Sequence, residues 1–287
     1  MVQDAHIHLM PGPCDEPAAF RQKAALAGVD GGAIISLPPP MNMMDPECDH
    51  RPSARLARIM EYTAQTPGFR PVFWLDPTES DAPRQIRAAV DAGIAGFKVI
   101  CCHFLPETQI DVFRLVAETG KPLLFHSGIL WDERVSSAYN RPANFECLMR
   151  VPGLRFALAH VSWPWYDECL ALAGKFRYLA GRGLARGLDM YVDLTPGTPK
   201  VYRREVLRRL FLIEYGLESR ALWGSDCFLN DYAPDWARAY LELDRRIMAD
   251  IGRDAEALGL PPPPEDLAAR VTEANALRFF GELEDGP

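Results

Sequence analysis

The chain has 287 residues, 48% apolar and 24% charged, an ordinary globular composition that excludes low-complexity, collagen-like and coiled-coil readings. Its 31 Lys and Arg against 39 Asp and Glu give a net charge of −8 without a basic run able to follow a phosphate backbone, so no nucleic-acid partner is expected. No apolar stretch approaches the roughly 18 to 20 residues of a transmembrane helix, so no membrane partner is expected either.

The chain opens Met-Val-Gln-Asp-Ala-His-Ile-His-Leu and reaches polar residues at once. A secretory signal would place a basic segment and about 7 to 15 apolar residues there, so a cytoplasmic location is expected. Residues 5–9 read as a first strand in which His6 and His8 share one side, while Ala5, Ile7 and Leu9 share the other. Amphipathic and apolar segments then alternate: a helix at 17–27, a strand at 32–37, a helix at 53–65, a strand at 71–75, a helix at 83–92 and a strand at 96–100. The second half continues with a helix at 107–119, strands at 122–126 and 155–161, a helix at 166–179, a strand at 190–194, a helix at 203–215, a strand at 221–225 and a helix at 234–251. Gly28, Gly93, Gly120 and Gly216 stand where left-handed helix caps belong.

Eight strands alternating with helices imply an α/β fold with a parallel sheet closed on itself: a single (β/α)8 TIM barrel over 1–287, with a C-terminal helix near 266–280. The proline clusters at 38–40 and 261–264 stiffen connections and mark no domain boundary. An open nucleotide-binding sheet would need Gly-x-Gly-x-x-Gly after the first strand, and Met-Pro-Gly-Pro-Cys stands there instead. The seven cysteines include no Cys-x-x-Cys pair and read as reduced thiols.

Chemistry concentrates at strand ends. His126 ends Pro-Leu-Leu-Phe-His, His160 ends Arg-Phe-Ala-Leu-Ala-His, and Asp226 follows Ala-Leu-Trp-Gly-Ser. His126 and His160 are one strand–helix unit apart and Asp226 lies two units further, so all three join His6 and His8 at the rim where barrel enzymes carry their active sites. A single buried histidine is more often a satisfied core residue than a ligand, but five polar residues in barrel register are costly to bury unpaired. Imidazole and carboxylate donors suit zinc or another divalent first-row cation with a position left open. Such an ion lowers the pKa of its water to about 7, an aspartate can take the proton, and a second histidine can polarise substrate or protonate a leaving group.

The His-x-His of Asp-Ala-His-Ile-His, the single histidines ending strands five and six, and Gly-Ser-Asp ending strand eight resemble the metal-dependent amidohydrolase superfamily. The terminal Asn275-Ala276-Leu277-Arg278-Phe279-Phe280-Gly281 is similar to the closing helix of the branch containing aminocarboxymuconate-semialdehyde decarboxylase and several lactonases. The resemblance spans the whole chain. It implies His6, His8, His126 and Asp226 as metal ligands, Asp226 and His160 as catalytic residues, and His160 as either a further ligand or the acid/base. The implied cofactor is one divalent ion, Zn2+ first, with Mn2+, Fe2+ or Ni2+ as alternatives. Lys98 points inward from strand four, where binuclear amidohydrolases carry a carboxylated lysine between two metals; pairing with a carboxylate or contact with an anionic substrate are the other readings.

The loops after the strands carry Met41, Met43, Met44, Trp131, Arg134, Trp163 and Trp165, an apolar wall with a cation that would fit an aromatic or cyclic carboxylate, or plain packing. His103 is a candidate substrate contact or a solvated loop residue, as are Arg134 and Arg141, while His50 reads as surface and Asp4 as a partner of His6 or a structural carboxylate. The expected activity is hydrolysis of a small cyclic ester, amide or related organic acid. Decarboxylation of an aromatic or unsaturated carboxylate and a non-catalytic metal-binding barrel are the alternatives. The expected partner is a small-molecule substrate, and self-association through outer helices is compatible with the acidic surface.

Overall fold

A computed structural model of the chain describes residues 1–43, 45 and 47–283, so Met44 and Pro46 in the connection after the second strand lie outside the described residues. Strands β1 (Gln3–His8), β2 (Gly31–Ile35), β3 (Phe69–Trp74), β4 (Gly96–Val99), β5 (Leu123–Phe125), β6 (Arg155–Leu158), β7 (Asp189–Asp193), β8 (Ala221–Leu222) and β9 (Cys227–Phe228) form one parallel sheet in the order β8-β7-β6-β5-β4-β3-β2-β1-β9. The helices α1 (Pro17–Leu26), α2 (Pro52–Ala64), α3 (Ala82–Ala92), α4 (Ile110–Glu118), α5 (Tyr166–Gly181), α6 (Lys200–Leu212) and α7 (Pro234–Leu258) lie between successive strands or after the last. This is an α/β fold of the TIM-barrel type.

β8 and β9 are two halves of the eighth barrel strand. β8 pairs with β7 through Val192 and Ala221, and β9 pairs with β1 through Ile7 and Cys227. Between them the Ala5 N–H donates to the Trp223 carbonyl and the Asp226 N–H to the His6 carbonyl, both at 3.0 Å, so the chain passes from one neighbour to the other and closes the ring.

Inside the ring, Ala5, Ala33, Ile35, Val72, Trp74, Leu124 and Tyr191 pack on one another, and the last helical stretch (267–279) adds Ala276 and Phe279 to that cluster; Ala5 was expected on the opposite face with Ile7, and the register shift of β1 between Asp4 and Ile7 turns it inward. Phe279 meets Tyr191 edge-on at 5.1 Å, and Arg155, at the start of β6, donates to the Phe279 carbonyl at 3.0 Å. The C-terminal helix therefore stops the end of the barrel where strands begin, and the rim where they finish stays open. A second apolar layer, including Phe20, Phe113, Phe145 and Phe176, fills the space between strands and helices.

Between β5 and β6, where no helix is expected from the sequence, the chain makes 3₁₀ turns at Ser137–Asn140 and Pro142–Arg150. One helix end differs from expectation. α7 runs through Gly252 to Leu258, beyond the expected end at 251, and stops at Gly259, whose φ of 66° makes the left-handed cap just before the proline cluster.

β1 and β2 touch so closely at Gly32 that a Cβ there would lie 2.1 Å from the Asp4 carbonyl oxygen. Gly32→Ala is therefore expected to separate the pair that orients His6 and His8, lowering unfolding free energy by about 1–3 kcal/mol in urea titrations followed by far-UV circular dichroism.

Candidate metal centre

The two-residue repeat of β1 turns His6 and His8 to the same interior side, and both are buried. Their Nε2 atoms approach to 3.0 Å. Asp226 enters from the break between β8 and β9 with a left-handed φ of 59°, and its Oδ1 stands 3.7 Å from His6 Nε2 and 3.4 Å from His8 Nε2. Aspartate tolerates that conformation better than most residues. The preceding Gly224 has no room for a side chain, since a Cβ would lie 2.9 Å from His6 Cβ.

A carboxylate that sequence reading missed, Asp193 at the end of β7, fixes the His6 ring. His6 Nδ1 donates to Asp193 Oδ2 at 2.6 Å, while the Thr195 backbone N–H, at 2.7 Å, and the Thr195 hydroxyl both donate to Asp193 Oδ1. The His6 proton is thereby held on Nδ1, and the Nε2 lone pair faces His8, Asp226 and the Lys98 ammonium at 3.2 Å. Asp193 ends its strand as His126 and Asp226 end theirs, which was the available signal. Asp4 takes the structural reading instead: its Oδ1 accepts from the Ser225 N–H at 2.9 Å and the His6 N–H at 3.2 Å, and Tyr232 donates to Oδ2 at 3.2 Å. Burial raises the Asp4 carboxyl to about 7 against those hydrogen bonds.

Burial, reinforced by Lys98, holds His6 well below the ordinary imidazole range, and burial lowers His8 and His126 as well, so these rings are neutral donors. Burial alone would raise Asp226, but the hydrogen bond with His8, supported by the neighbouring imidazoles, outweighs it and holds the carboxyl well below its usual range. Among the described residues, His6, His8 and Asp226 are the group whose donor atoms converge within 4.8 Å. Two atoms each bonded at 2.0–2.2 Å to a tetrahedral ion stand about 3.3–3.6 Å apart; the 3.4 Å spacing falls in that range, and the 3.0 and 3.7 Å spacings need only small side-chain shifts to reach it. His126 Nε2 is also buried without a partner.

His126 and His160 lie just beyond β5 and β6, their rings 4.9 Å apart, and the His160 ring is 5.7 Å from that of His6. His160, Val161 and Ser162 all adopt left-handed φ values of 62°, 47° and 55°, rare for non-glycine residues and especially for a β-branched one. This turn, which apolar patterning does not reveal, swings His160 against the β7 connection. There Gly197 leaves the space it needs: a Cβ would lie 2.8 Å from His160 Cβ.

Lys98 is buried on β4 with Nζ 3.2 Å from His6 Nε2, and burial lowers its ammonium to about 8 against the attraction of Asp226 and Asp193. Above the rim opens a cavity of about 740 Å³, lined among others by His8, Trp74, Lys98, His126, His160 and Asp226. Trp131, Arg134 and Trp163 also line it, together with Met43, Asn42 and Cys102. His103 stands behind Cys102, its Nε2 3.2 Å from Thr78 Oγ1. His50 is not at the surface: it is buried, its Nδ1 meets the Pro38 carbonyl at 3.1 Å, and its Nε2 accepts from the Asp45 N–H at 3.1 Å, which pins the proline-rich loop. Arg141 pairs with Glu168 at 3.1 Å and lies over Trp165, away from the cavity lining. All seven cysteines are free.

A family model described as amidohydrolase matches residues 4–281. A Pseudomonas putida structure described as a 2-pyrone-4,6-dicarboxylic acid hydrolase superposes with a TM-score of 0.62 at 16% identity, covering 99% of this chain and 98% of that one. A metal-dependent hydrolase structure from Lactobacillus casei gives 0.61 at 13% identity, covering 92% and 76% of the two chains. The 4-oxalomesaconate hydratase of Rhodopseudomonas palustris gives 0.59 at 14% identity, covering 98% and 96%. At these identities the structural likeness is one of fold. A search of curated proteins found no match.

Burial raises the Asp193 carboxyl, and Asp193→Asn removes the carboxyl group that holds the His6 tautomer. Zinc affinity, measured by competition with a chromophoric chelator, is expected to fall about 10- to 100-fold, with little change in the melting temperature of the metal-free protein.

Proposed function

This chain belongs to the amidohydrolase family, and from that premise we propose that it is a metal-dependent hydrolase of a small cyclic ester, amide or related organic acid. The observation that carries the proposal is the convergence of His6 Nε2, His8 Nε2 and Asp226 Oδ1 at ligand spacing, with the His6 lone pair exposed by the Asp193 hydrogen bond. His6, His8 and Asp226 would hold the cation, with His126 beside them and zinc as the first candidate. When bound, such an ion supplies Lewis acidity, polarising the substrate carbonyl and easing deprotonation of water.

The chain's own groups do the rest. Asp226 is ionised, and with Oδ1 turned to the imidazoles its Oδ2 is placed to take the proton of an attacking water. His160 lines the cavity and is held by its left-handed turn, positioned to return that proton to the leaving oxygen or nitrogen. Trp74 and Trp163 narrow the apolar walls and exclude bulk water from the carbonyl.

The test is incubation of zinc-supplemented protein with a panel of lactones, beginning with 2-pyrone-4,6-dicarboxylate, while acid release and carbon dioxide are followed together. Acid release without carbon dioxide supports hydrolysis; carbon dioxide release reassigns the protein as a decarboxylase. Metal uptake with neither product leaves a binding barrel. Asp226→Asn is expected to lower turnover by about 10²- to 10⁴-fold. Because burial keeps the rim imidazoles neutral, protons compete poorly for them. Zinc release on acidification, read with a metal-sensitive dye, is therefore expected with a midpoint below about pH 6.5, the ordinary imidazole value.

A further inference from the structure

One buried ion pair, between α6 and α7, takes no part in the chemistry above. Arg203 is 1% exposed and Asp244 is fully buried; Arg203 Nε donates to Asp244 Oδ1 at 2.8 Å and Nη2 to Asp244 Oδ2 at 2.6 Å. Such a pair is weak evidence for stability, because apolar residues of the same volume often serve as well. Arg203 also stands with Lys200 in the first turn of α6, which carries no acidic residue, so its charge opposes the helix dipole. Helix stability does not account for it.

Its third hydrogen bond does. Arg203 Nη2 also donates to the Leu194 carbonyl at 2.6 Å. Leu194 follows the last residue of β7, and its N–H still bonds the Leu222 carbonyl at 2.8 Å as a strand residue would. Its carbonyl leaves the ladder, because the chain turns there to send the Thr195 N–H and hydroxyl back to Asp193 Oδ1. Among the described residues no backbone N–H donates to that carbonyl, and Arg203 satisfies it. The same turn presents Asp193 Oδ2 to His6 Nδ1 at 2.6 Å and brings the Thr195 hydroxyl to 3.1 Å from that nitrogen. A planar guanidinium can grip a carboxylate with two nitrogens and share one of them with a carbonyl; a lysine ammonium has no such fork.

We propose that Arg203 is a positioning residue for the rim: clamped by Asp244, it holds the Leu194 carbonyl and with it the Asp193–Thr195 turn that keeps the His6 proton on Nδ1. The placement of that proton rests on this geometry alone, while its consequence for metal affinity rests on the metal-dependent reading above. Arg203 acts through one backbone carbonyl and touches neither ion nor substrate.

The test reads the His6 tautomer directly. Full-length protein carrying isotope-labelled histidine is chelated, and long-range proton–nitrogen correlation spectra show which ring nitrogen bears the proton, with His6 assigned from its loss in His6→Asn. Zinc affinity by competition with a chromophoric chelator and the melting temperature of the chelated protein are measured alongside. Wild type is expected to hold the proton on Nδ1. Arg203→Met combined with Asp244→Leu removes both charges together, so no lone charge is left buried and the melting temperature is expected to stay near that of wild type. In that variant His6 should lose its single tautomer and zinc affinity should fall about tenfold, whereas in an Asp193→Asn background the same pair of changes should cost less than about twofold. Arg203→Lys, which keeps a charge for Asp244 without the fork, should lose about two- to fivefold in zinc affinity. A wild-type tautomer in the double variant, wild-type zinc affinity in Arg203→Lys, or a full additional loss in the Asp193→Asn background overturns the proposal. Loss of the single tautomer in the double variant, with no zinc bound by any sample, upholds the positioning role and removes the metal reading.

Discussion

The eighth strand must satisfy two demands that pull its backbone in opposite directions. Closing the barrel requires extended chain that bonds β7 on one side and β1 on the other. Bringing a carboxylate to the imidazoles of β1 requires leaving that extended path. The chain does both by breaking the strand: Trp223 and Asp226 keep single hydrogen bonds to β1, and a left-handed turn at Asp226 aims the side chain inward. Gly224 fits only because it lacks a Cβ, and Asp4 repairs the break by taking the freed Ser225 N–H with its own carboxylate. Without that repair a buried donor would be left unsatisfied, at a cost of about 1–3 kcal/mol.

Much of this was legible in the sequence, for a definable reason. Strand periodicity assigns a face and strand ends assign a rim, so His6, His8, His126, His160 and Asp226 could be brought to one place without coordinates. Periodicity assigns no partner across the barrel. The bond from His6 to Asp193 joins the first strand to the seventh, and nothing local to either residue announces it. The same limit hid His50, whose two ring nitrogens fold the connection after β2 onto itself. Backbone signs were legible where glycine supplied them, as at Gly93 and Gly216, and not at His160 to Ser162, where ordinary residues are forced into the left-handed region.

That forced turn and the buried polar groups are two sides of one arrangement. Three successive residues at positive φ store strain that the surrounding core must offset, and Val161 is fully buried in the apolar layer that does so. In return His160 sits against Gly197 with its Nδ1 buried and without a partner, close to His126 and His6. A domain optimised for stability alone would pair that nitrogen or replace it.

Lys98 sharpens the electrostatic argument. Its ammonium lies 3.2 Å from the lone pair of His6, which makes it the local cation of the rim in the structure described. A divalent ion held by His6 would compete for that lone pair and repel the ammonium at short range. The two can coexist if Lys98 turns toward a carboxylate or toward a bound anion, or gives up its proton, and burial has already brought that last step within reach by lowering its pKa to about 8. With Asp226 and Asp193 both attracting it, the lysine has carboxylates to turn to on two sides.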